Sequence, residues 1–117
     1  MSLRKVWPQR GVVLNGHFRF SKPIEARRVE AAAREVARKM GVPVIRSDVQ
    51  RRKNGFLLRM ILQQSELLIR SSHADSDIRL NITPMQADAL SAIGLLAAKL
   101  RPLHLRLSVR RVRRRVG

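Results

Sequence analysis

Few side chains in this 117-residue sequence can do acid–base or metal chemistry: three histidines, His17, His73 and His104, and eight carboxylates, with no cysteine and no tyrosine. One stretch, Ser71-Ser72-His73-Ala74-Asp75-Ser76-Asp77, sets a histidine beside two aspartates. Hard divalent cations take carboxylate oxygens, so His73, Asp75 and Asp77 have the chemistry to begin a hydrolytic metal site. A polar turn between strands has the same composition, and no two histidines show the spacing of a helical metal motif. The stretch is therefore read as a turn, with no metal and no cofactor. His17 and His104 fall on the polar faces of two alternating segments; as base and acid they would make a small metal-independent nuclease. No glycine-rich phosphate loop, nucleophile elbow or dinucleotide fingerprint is present. The reading is a protein that is not an enzyme, with the nuclease as an alternative.

The other residues of chemical interest are cations. There are 25 Lys+Arg against 8 Asp+Glu, a formal charge of +17. Residues 1–53 carry 14 basic and 4 acidic side chains, residues 54–100 carry 4 of each, and residues 101–117 carry 7 basic and none acidic. Two basic reservoirs around a neutral middle point to a surface assembled when the fold brings the ends together, and to a polyanionic partner. Twenty of the cations are arginines, whose planar fork matches phosphate oxygens and stacks on bases. The expected site comprises Arg19, Arg59, Arg79, Arg106 and Arg110 on a polar sheet face, the cluster Arg51, Arg52 and Lys53 at a hairpin tip, and Arg110, Arg111, Arg113, Arg114 and Arg115 in a C-terminal run. The partner expected is RNA or single-stranded nucleic acid rather than duplex DNA, met through backbone phosphates, with the chain acting alone or inside a larger nucleoprotein assembly.

These side chains need elements to position them. Val12, Leu14, Phe18 and Phe20 alternate with polar residues and predict a strand, with Gly16 at a bulge or close approach. Ser21 and Pro23 then open a helix whose stripe is Ala26, Val29, Ala33, Val36 and Met40, ended by Gly41. Strands follow over 42–49, 56–62, 66–71 and 78–82, with Asn54-Gly55 as a tight turn. A second helix runs from a Thr83–Gln86 capping box to Leu100. Leu103 to Arg110 alternates as the last strand. The fold expected is α+β, two helices packed on one face of a mostly antiparallel sheet in the order β-α-β-β-β(-β)-α-β, a ferredoxin-like variant with the first and last strands adjacent. Residues 1–10 form an N-terminal arm, 11–109 one domain, and 110–117 an Arg-rich extension.

Lys53-Asn54-Gly55-Phe56 resembles the Lys/Arg-Gly-Phe start of the third strand of the RNA recognition motif. The resemblance covers four residues and Leu57-Leu58-Arg59 lacks the second aromatic, so it is read as a hairpin turn followed by a core Phe. Between Asp88 and Lys99 the second helix has no charge, and Ala87, Ser91, Gly94 and Ala98 form a stripe of small residues. The sheet and first helix are expected to cover it. The alternative function is a protein-interaction module that uses this stripe for a homodimer or an acidic protein partner. Absence of cysteine excludes a disulfide framework and thiolate zinc sites and fits an intracellular protein, in cytoplasm or nucleoid. Trp7 and Pro8 interrupt the apolar run a secretory signal needs, and Ala89 to Ala98 is too short to span a bilayer, so no membrane partner is expected.

Overall fold

A computed structural model describes residues 12–86 and 88–111. It contains β1 (Val12–Arg19), α1 (Ala26–Lys39), β2 (Val44–Arg52), β3 (Gly55–Leu62), β4 (Glu66–Ser72), β5 (Asp77–Thr83), α2 (Ala89–Leu100) and β6 (His104–Arg111). The strands form one six-stranded sheet in the order β2-β3-β4-β5-β1-β6, with every pairing antiparallel. This is the expected α+β arrangement, the β-α-β-β-α-β plan lengthened by the β2–β3 hairpin, with β6 beside β1.

Strand alternation divides the sheet into two unlike faces. Leu14, Phe18, Leu58, Met60, Ile69, Ile78 and Leu80 lie on the face beneath the helices and are fully buried. They pack against Val29 and Val36 of α1 and Ile93, Leu96 and Leu100 of α2. Gly16 sits in the β1 ladder without a bulge. It marks a close approach instead, since a Cβ there would stand 2.9 Å from Leu80 Cδ1.

Local signals misplaced several boundaries. Helix α1 starts at Ala26 with Glu25 as its N-cap, because Ile24 is buried and the chain stays extended past Ser21 and Pro23 to seat it. Thr83 caps nothing: it is the last residue of β5, opposite Glu66, and the Gln86 side chain donates to the Gln64 carbonyl at 3.0 Å rather than closing a capping box. In the β2–β3 hairpin Arg52 is opposite Gly55, so Lys53-Asn54 forms the turn. The last strand runs to Arg111, so Arg110 and Arg111 belong to the sheet and not to an extension. Residues 1–10 and 113–115 lie outside the described residues.

Candidate functional site

Helices cover one sheet face, and among the described residues no element covers the other. Its cross-strand rows follow from the register. Arg70 of β4 is opposite Arg79 of β5, Arg79 is opposite His17 of β1, and His17 is opposite Arg106 of β6. Three cations therefore stand in one row with His17, across four adjacent strands, a span of about 14 Å at ordinary strand spacing. The neighbouring row holds Ser72, Asp77, Arg19 and His104, paired in that order. On the other side, Asn81 and Asn15 are hydrogen-bonded to each other.

Asp77 is 5% exposed, the one charged side chain buried among the described residues. Arg19 is directly opposite, yet the carboxylate is held by the diagonal neighbour: His17 Nε2 lies 2.6 Å from Asp77 Oδ2. A buried carboxylate needs such a donor. With Nε2 donating to Asp77, Nδ1 remains as the ring's acceptor, and the half-buried ring is fixed between Arg79 and Arg106. A carboxylate that orients an imidazole is an arrangement that proton-transfer sites use.

The open-face cations divide into two sets. Arg59 pairs with Glu66 at 2.8 Å and Arg46 with Asp48 at 2.9 Å. Arg19, Arg52, Arg70, Arg79, Arg106 and Arg110 make no ion pair among the described residues. Arg70 and Arg79 oppose each other directly, and like charges in that position destabilise a sheet. Arg79→Gln is therefore expected to raise stability by roughly half a kcal/mol, read as a melting temperature higher by about 2 °C.

Of the other residues singled out by sequence, Arg52 is on the open face at the sheet's far edge, Arg51 is opposite Phe56 and so on the helix side, and Lys53 is in the turn. Arg111, opposite Val12, also falls on the helix side. His73 and Asp75 are exposed in the β4–β5 turn, where Asp75 Oδ2 accepts from Ser72 Oγ at 3.1 Å. Asp77 turns away to His17, and no group of three potential metal ligands occurs among the described residues. His104 is opposite Arg19, one row along from His17 on the same face, and His17 is engaged by Asp77. Ser91, Gly94 and Ala98 are exposed, and no atom lies within 4 Å of a Cβ added at Gly94. The stripe is thus uncovered by this domain's own sheet and first helix; Ala87 is outside the described residues. Arg70 and the His17–Asp77 pair were missed as a site. Alternation with Leu67 and Ile69 already marked Arg70 as outward, whereas a pair 60 residues apart has no local signal.

A concavity of about 430 Å³ lies between α1, α2 and the sheet, lined by residues that include Val36, Ala37, Met60, Ala92 and Ile93. Its lining is mostly apolar, with Gln63, Gln64, Ser65, Gln86 and Asp88 as the polar members. Among the described residues, no helix is long and apolar enough to cross a membrane.

No protein-family model and no curated protein matches the sequence. Solved structures do match. The adenosylmethionine decarboxylase from Aquifex aeolicus VF5 superposes with a TM-score of 0.69 over 86% of this chain and 88% of its own, at 11% sequence identity. The likeness is one of fold. It corrects the expectation of a non-catalytic nucleic-acid-binding protein, because this α+β arrangement is one carried by an enzyme named for a small molecule. The geometry gives the physical reason. Among the described residues the unpaired open-face arginines, Arg52 at the far edge apart, form a short cluster around His17, Arg51 and Arg111 fall on the other side, and Phe18 and Phe56 are buried, leaving no aromatic among the described residues of the open face for bases to stack on.

Proposed function

We propose that the chain binds a small, net-anionic molecule carrying two or more carboxylates on the open face of its sheet. Arg79 and Arg106 grip the oxyanions, and His17, oriented by Asp77, exchanges a proton with the bound molecule. The observation that carries this reading is the placement of His17: opposite Arg79 on one side and Arg106 on the other, with its ring held by Asp77 at 2.6 Å. Guanidinium groups match carboxylates fork to fork. Two backbones about 10 Å apart, two strand spacings, let both side chains close over one ligand above the imidazole. The solved neighbour supports a small-molecule site, since its name describes removal of a carboxyl group from adenosylmethionine. Adenosylmethionine itself also carries a sulfonium and an ammonium, which an arginine row repels, so it is expected to bind this chain more weakly than citrate.

Calorimetric titration tests the reading. Citrate is expected to bind, and Arg79→Gln and Arg106→Gln each to weaken it about tenfold or more, the worth of a charge-assisted hydrogen bond. Equal binding by the parent and both variants would place the ligand elsewhere.

A further inference from the structure

We propose that the chain forms a two-fold homodimer by pairing β6 antiparallel with β6 of a second copy, in the register that sets Leu107 opposite Leu107. The two edges of the sheet differ in a way that singles out β6. At the other edge, β2 has a register irregularity between Val44 and Arg46, a break that keeps an edge from pairing, while arginines stand on both edges, Arg46, Arg51 and Arg52 on β2 and Arg106, Arg110 and Arg111 on β6. The β6 edge has neither proline nor bulge: its eight residues pair with β1 without a break, and all are exposed. On its helix side stand Leu105 at 44%, Leu107 at 38% and Val109 at 56% exposed, with Leu103 beside them at 63%. Leu90 of α2, 52% exposed, is on the flank of α2 away from Ala92 and hence away from the cavity beneath α1. Leu105, Leu107 and Val109 form an apolar strip that ends at Arg111 on the same side, and self-pairing meets it with a surface that is itself apolar.

The arginines of β6 choose the register. Opposed residues of a ladder share a face, so a two-fold axis that keeps both helix layers on one side must pass through a residue and not between two. For a strand from His104 to Arg111 two centres give the greatest overlap, Leu107 and Ser108. Centring on Ser108 sets Arg106 opposite Arg110 twice. Centring on Leu107 sets Arg106 opposite Ser108, Arg110 opposite His104, and Leu105 opposite Val109, with no arginine pair. Like charges directly opposed are unfavourable, so the Leu107 centre is assigned.

Analytical ultracentrifugation of the full chain is expected to show a dimer that tightens as salt rises from about 0.1 M to about 1 M, because the screening length contracts from about 10 to about 3 Å and the repulsion between two cationic chains fades. Association through a bridging polyanion would weaken instead, and that result overturns the proposal, as does a monomer at every salt and protein concentration. Leu107→Lys is expected to raise the dissociation constant on the order of thirtyfold. Its far-UV circular dichroism should match the parent, and so should its melting temperature at protein concentrations where the parent is monomeric, since the side chain it replaces is already exposed; a dimer undiminished by this change contradicts the interface. The chain has no cysteine, so a single introduced thiol reads the register. Leu107→Cys should cross-link to a disulfide dimer on oxidation. Ser108→Cys should not, its two copies lying about 8 Å apart, beyond disulfide reach. Cross-linking at 108 and not at 107 would refute the assigned register.

Discussion

Replacing Gly55 by alanine is expected to destabilise the protein by about 3 to 5 kcal/mol, seen as a melting temperature lower by about 12 °C or more. Gly55 opens β3 with φ of +148°, a backbone conformation an L side chain rarely adopts. Space is also lacking: an added Cβ would lie 2.4 Å from the Ser71 carbonyl oxygen, and backbone cannot yield as a flexible side chain would. Relief requires β4 to move away, which breaks the 2.8 Å bond from Phe56 N–H to Ser71 Oγ. The damage then spreads, because Asn54 ties this turn to the next through the 2.9 Å bond from His73 N–H to its carbonyl and the 3.1 Å bond from Ala74 N–H to its side chain. That second turn delivers Asp77 to His17, so the substitution should also weaken the open-face site. Gly41→Ala provides the comparison. Its φ is +70° but nothing lies within 4 Å, so it should cost only about 1 kcal/mol. Equal melting temperatures for the two variants would mean that the contact with Ser71 is not tight.

His17→Ala is expected to cost about 2 to 4 kcal/mol, because it strips a buried carboxylate of its one side-chain donor. Asp77 is 5% exposed and its partner bond measures 2.6 Å. The gap left by an alanine admits water only partially, so the charge remains poorly solvated. His17→Gln separates the two roles of the ring. An amide N–H can still donate to Asp77, so most of the lost stability should return, but an amide cannot take a proton at neutral pH. Thermal unfolding of both variants beside the parent decides the structural part: if His17→Gln melts with His17→Ala, the histidine contributes more than a donor to Asp77. Ligand affinity decides the rest, since Arg79 and Arg106 are intact in both.

The fold was legible because its signals were periodic. Alternation of Val12, Leu14, Phe18 and Phe20, and of Leu103, Leu105, Leu107 and Val109, marked the first and last strands, and the α1 stripe at spacings of three and four marked its buried face. Adjacency of β1 and β6 then brought Arg106 beside His17 as the topology implied, while Arg110 met Val13 and His104 met Arg19. Boundaries failed where tertiary contacts outweighed local preference: buried Ile24 delays α1, and pairing with Glu66 draws Thr83 into β5. Composition misled about function. A charge of +17 is a sum, and among the described residues the arginines divide into ion-paired ones, ones on the helix side, and a group on the open face. The pairing of His17 with Asp77 depends on a diagonal contact between β1 and β5 that no local pattern encodes. Nor could alternation show that no described element covers the apolar side of β6; that depends on how far α2 reaches across the sheet.

The most direct measurement is a two-dimensional amide NMR titration of the chain with citrate. Binding at the open face predicts saturable shifts centred on His17, Asp77, Arg79 and Arg106, lost in Arg79→Gln while the fold is retained. Shifts centred on Met60 and Ile93 in the inter-helix cavity, or a weak non-saturating response that includes Arg27 and Arg34 on α1, would contradict it.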